Sequence, residues 1–89
     1  MYYHVQISYF NSDSVGMTQL SECNIQDLDD LKERVVNPYV YGHNFKFCGI
    51  DLLLASVHKF WVYASETPIY DINEDGVKES TREIIESVT

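Results

Sequence analysis

Apolar and polar residues alternate along residues 2–9, with Tyr3, Val5, Ile7 and Tyr9 on one side and Tyr2, His4, Gln6 and Ser8 on the other. A period of two marks a strand that buries one side. His4 therefore reads as a solvent-side strand residue. Turn-forming residues at 11–14 allow 15–20 to return antiparallel, making a hairpin. From Asn24 the period lengthens: Ile25, Leu28, Leu31 and Val35 follow the spacing of one helical face, and Asp27, Asp29, Asp30, Lys32 and Glu33 fall elsewhere on the helix. This predicts a helix capped by Asn24 and ended by Pro38, because the residue before a proline is pushed out of the α region.

Residues 39–44 read as a loop in which Gly42 supplies a positive φ. Residues 45–47 form a strand, Gly49 turns the chain, and 57–63 form a second strand. That strand has Val57, Lys59, Trp61 and Tyr63 on one side and His58, Phe60 and Val62 on the other. Aromatic residues on both sides predict a central position for it. Residues 51–56 fit either a continued strand or one helical turn. The densest apolar run, 36–65, holds the single Trp and only Lys46, Asp51 and Lys59 as charged residues, which is core-building composition. At the C-terminus Val77, Thr81, Ile84, Ile85 and Val88 share a face, predicting a helix over 77–88 capped by Asp75.

The expected fold is α+β: a small mixed or antiparallel sheet of about four strands, one packed helix, and an acidic C-terminal helix held less firmly. Residues 1–67 would form the α+β module, and 68–89 an acidic linker and helix.

Charge narrows the function classes. The net charge is −8, and residues 64–89 carry seven acids against Lys78 and Arg82. Six scattered Lys and Arg cannot build a basic surface, so direct nucleic-acid binding is not expected. No apolar run is long enough for a membrane span, and the N-terminus lacks a basic segment followed by a long apolar one, which implies a cytoplasmic protein without membrane contact. Cys23 and Cys48 have neither metal-clip nor disulfide-framework spacing and read as reduced thiols.

Residues 71–76 match the start of a calcium loop, with Asp71, Asn73, Asp75 and Gly76 in register. Lys78 and Arg82 then occupy positions that need an apolar residue and a bidentate carboxylate, and a cation there repels the ion. His43 and His58 have no partner at metal-ligand spacing. With no phosphate loop, nucleophile elbow or zinc-protease motif, the sequence implies a non-enzyme without cofactor.

Two segments carry a resemblance. They are MYYHVQIS at the start and Leu31 through Tyr39 (LKERVVNPY), followed by Gly42, Phe45, Lys46, Phe47, Gly49, Val57, Phe60, Val62 and Ser65-Glu66-Thr67. Their order and spacing resemble a small N-terminal module of prokaryotic anti-phage defence proteins, which commonly precedes a TIR-like effector domain with predicted nucleotide binding. The likeness covers about residues 1–67. It departs at Leu52, Leu53, Leu54 and Ala55, where the family has a polar, helix-starting stretch.

The resemblance implies a non-catalytic module for protein interaction, oligomerisation or sensing, acting through a protein partner or self-association. Tyr39, Tyr41, Phe45 and Leu53 are the candidate partner-binding residues, since aromatic and apolar groups around loops are favoured contact anchors. The alternative, from another class, is a stand-alone acidic inhibitor of the phage type that presents carboxylates in place of phosphates. It requires the acids of 27–33 and 74–86 to line up on one side.

Overall fold

A computed structural model describes residues 1–11, 16–66 and 74–88. The chain is α+β, and its described residues form five strands in two antiparallel sheets with helices packed against them. Strands β1 (Tyr2–Phe10), β2 (Met17–Ile25) and β5 (Val57–Ser65) form a sheet in the order β2-β1-β5, and β3 (Phe45–Phe47) pairs with β4 (Ile50–Leu52). The expected hairpin is present, and its second arm is longer than the pattern suggested. Strand β5 is an edge strand, not a central one; β1 lies between its neighbours. Helix α3 (Glu74–Glu86) packs against β5.

The register explains the core. Val5 faces Val62 and Ile7 faces Phe60, so these four share one side of the sheet, and a register shift after Ser8 sets Tyr9 opposite Val57. Ile25, Leu31, Val35, Val36, Phe45, Phe47 and Leu52 close over them. Close-packed apolar burial of this kind supplies most of the drive to fold.

Two expectations about the helix fail for local reasons. Asn24 does not cap it. Tyr3 pairs with Ile25 and Val5 with Glu22, so Cys23 and Asn24 together oppose His4 in a bulge. Asn24 adopts φ 59°, a left-handed conformation that Asn tolerates better than most residues. The cap is Asp27, whose Oδ1 accepts from the Asp30 N–H at 3.1 Å and opens α1 (Leu28–Leu31).

Nor does Pro38 end the helix. A π-helical turn at Lys32–Val36 precedes α2 (Asn37–Val40), and the Asn37 N–H reaches back five residues to the Lys32 carbonyl. Proline lacks an N–H and crowds the carbonyl four residues behind it. The wide turn relieves that crowding and lets Pro38 enter as a first-turn residue of α2, where its missing donor costs little. The helix instead stops at Gly42 (φ 78°), where the His43 N–H returns to the Pro38 carbonyl at 2.8 Å.

Helix α3 lies along β5 and supplies what a neighbouring strand would. The Val62 N–H donates to Thr81 Oγ1 at 3.0 Å, and the Ala64 N–H donates to Ser80 Oγ at 3.2 Å. Val77 and Thr81 are buried, and Ile84, Ile85 and Val88 pack on the core. Hydroxyls thus satisfy part of an otherwise open strand edge. Asp75, expected as a cap, lies inside the helix.

Candidate interaction surface

The four residues singled out by sequence separate in space. Phe45 is a core residue, 8% exposed. Tyr39 stacks flat on Phe60, with ring centroids 4.0 Å apart and planes 6° apart, and lines an open cleft of about 410 Å³ with Val40, Leu54, Val57 and Ile85. Tyr41 is 60% exposed, yet its hydroxyl donates to the Val88 carbonyl at 2.7 Å, bracing the helical layer against the end of α3. Leu53, 61% exposed, is the one with a free apolar side chain.

Leu53 has companions that the sequence reading did not select. Phe10 is 59% exposed and Ile50 37% exposed. With Tyr9, Asn11 and Ser56 they border a cleft of about 290 Å³ at the end of β1. Three causes bring them together. Phe10 continues the even, non-core side of β1; Ile50 begins β4 just after the tight turn; and Leu53 leaves β4 as the chain enters the 3-10 turn Leu54–Ser56. That turn is fixed by Asn44, whose Oδ1 accepts from the Leu54 N–H at 2.9 Å. The Phe10 ring is backed edge-on by His58 at 5.9 Å. An exposed apolar cluster backed by an aromatic ring fits the anatomy of protein contact sites.

A second grouping, also unforeseen, is His4 with Ser65. His4 is fully buried, contrary to its expected solvent-side position, and its ring lies 5.1 Å from that of Tyr63. The Asn24 N–H donates to Nδ1 at 3.3 Å, so Nδ1 is the unprotonated nitrogen and Nε2–H donates to Ser65 Oγ at 2.7 Å. In that tautomer the imidazole is a donor to the serine, the reverse of what activates a nucleophile. Burial holds the His4 pKa below its ordinary value. The signal in the sequence was faint: a His on a strand that also bears Tyr partners across the sheet.

Charged contacts are structural. Arg34 donates to Glu22 at 3.2 Å and to Asp30 at 3.1 Å, and its pKa is raised mainly by the hydrogen bond to Glu22. Cys48 donates weakly to the Ser21 carbonyl at 3.6 Å, and burial raises its pKa. Among the described residues no group of three His, Cys, Asp or Glu is disposed to hold a metal ion, and no helix is long and apolar enough to cross a membrane. The calcium-loop positions 71–73 lie outside the described residues. No family model matches the chain, and neither a curated protein nor a solved structure does so.

Proposed function

We propose that this chain is a non-catalytic protein-interaction module of the cytoplasm, associated with a prokaryotic anti-phage effector, and that Leu53 anchors its contact with a protein partner. The observation that carries the reading is the cluster of Leu53, Phe10 and Ile50, all exposed, around one cleft. Three large apolar side chains held together in water are costly to leave uncovered, and a partner's apolar residue seated among them recovers that cost. The order of motifs in residues 1–67 supplies the effector association, with a TIR-like domain as partner.

The test is sedimentation of the 89-residue chain mixed with a TIR-like effector domain supplied in trans. A complex that Leu53→Asp abolishes, with the far-UV spectrum unchanged, supports the reading. Absence of a complex, or one indifferent to Leu53→Asp and Phe10→Ser, overturns it. A complex that ignores those substitutions and dissolves steeply with salt is the behaviour of the acidic inhibitor instead.

A further inference from the structure

The sheet has a second side, opposite the core. There Gln6 stands between Ser21 and Trp61, and Ser8 stands between Gln19 and Lys59. Gln6, Ser8 and Trp61 are half-buried, while Gln19, Ser21 and Lys59 are exposed. All but Ser21 line a shallow depression of about 130 Å³. The side chains of Gln6, Ser8 and Gln19 have no hydrogen-bond partner among the described residues.

Among the described residues this side differs from the rest of the surface in charge. β1 carries no Asp, Glu, Lys or Arg. The one acid of β2, Glu22, pairs with Val5 on the core side and is held by Arg34. β5 contributes only Lys59, whose Nζ lies 5.4 Å from the centre of the Trp61 ring. Elsewhere the surface is acidic: Asp27, Asp29, Asp30 and Glu33 on the helical layer, Asp51 on β4, and Asp75, Glu79, Glu83 and Glu86 on α3 are all exposed. Two copies of a chain of net charge −8 that met through any of those surfaces would oppose like charges.

We infer that the open side of β2-β1-β5 is a two-fold interface with a second copy of this chain, centred on Trp61. A two-fold contact brings the same patch together twice, so it must be self-complementary. Amides and hydroxyls meet that condition, since each both donates and accepts; carboxylates fail it, and so does an ammonium. Lys59, the one cation among the described residues of this side, therefore stays over its own Trp61 ring and takes no part in the pairing. Gln6, Gln19 and Ser8 bond across the axis to their counterparts, and Trp61 supplies the apolar anchor. The inference extends the interaction-module reading by naming a second copy as one partner, on a surface apart from Leu53.

The test is sedimentation equilibrium up to about 0.5 mM protein, at about 0.05 M and about 0.5 M salt, alongside fluorescence of Trp61, the only Trp in the chain. The expected result is a dimer that tightens several-fold at high salt, as screening relieves repulsion between the two acidic bodies, with Trp61 emission moving to shorter wavelength as it forms. Gln19→Glu, an exposed substitution that puts an acid on a side where the described residues present none, weakens the dimer about tenfold. Leu53→Asp leaves it intact. A monomer at both salts, a dimer indifferent to Gln19→Glu, or one abolished by Leu53→Asp overturns the inference. The first two outcomes leave open whether a TIR-like domain binds at Leu53, and the third would assign Leu53 to self-association.

Discussion

His4 and Phe10 project from the same, non-core side of β1, and one is wholly enclosed while the other is 59% exposed. At the start of the strand the His4 ring ties three segments together: β1 itself, the bulge of β2 through Asn24, and the end of β5 through Ser65. At the other end Phe10 meets His58 along one edge and a shallow cleft along the other. Alternation assigns a residue to a side of a sheet; what covers that side is a separate matter. The enclosed end is where stability is concentrated, and the open end is where contact with other molecules is available.

The comparison breaks most sharply by truncating each residue. His4→Ala removes a buried ring and leaves the Asn24 N–H without its acceptor, so it costs about 2–4 kcal/mol in urea unfolding. Phe10→Ala, on an exposed ring, changes stability by no more than about 0.5 kcal/mol. Equal costs would show that the two ends are alike after all.

Next in size is Thr81→Val, which keeps the shape and removes the hydroxyl that serves the β5 edge. The Val62 N–H loses its acceptor, and the substitution costs about 1–3 kcal/mol. Thr81 Oγ1 also lies 2.9 Å from the Val62 carbonyl and 2.8 Å from the Val77 carbonyl, but its single proton serves only one of them at a time. Amide exchange at Val62 should accelerate in the variant while exchange at Val5 follows only the global change.

Acidity sharpens the same contrast. Burial lowers the folded-state pKa of His4 below its ordinary value of 6.5, so the unfolded chain takes up the proton first. The contribution of neutral His4 is therefore complete above about pH 6.5 and is lost as pH falls from there toward the folded-state pKa. His4→Gln should flatten that part of the stability profile. An unchanged slope in His4→Gln would mean that other groups carry it.

The smallest effect lies at the β3–β4 turn. Cys48 and Gly49 both have positive φ, at 52° and 76°, in the two-residue loop between Phe47 and Ile50. That geometry suits Asn-Gly, and a Cys there is strained. Cys48→Asn should raise stability by about 1 kcal/mol or somewhat less in thermal melts. A loss instead would show that the weak Cys48 bond to the Ser21 carbonyl outweighs the strain.

Much of the candidate surface was within reach of the pattern, and the part that was not has a physical explanation. Leu53 stood out because a run of leucines exceeds what one short element can bury. Phe10 carries on the even side of β1 and could have been placed beside it. Phe45 and Tyr39 were chosen as aromatic loop neighbours, yet packing drew Phe45 into the core and set Tyr39 against Phe60. Composition names residues able to make contacts and is silent on whether those contacts are internal.

By itself the sequence determined the local elements whose period is strong: strand β1 and its odd, core-facing residues, the hairpin with β2, the β3 strand with its Gly49 turn, and the apolar series Val77, Thr81, Ile84, Ile85 and Val88. These rest on spacing along the chain, where side-chain direction follows from backbone geometry alone. The tertiary structure decided the rest. It made β5 an edge strand and gave its outward N–H groups to hydroxyls on α3, placed a bulge where a helix cap was expected, carried the helix past Pro38 through a wide turn, and enclosed His4. Each depends on a partner distant in sequence, and the demand that buried polar groups be satisfied is met only when those partners arrive.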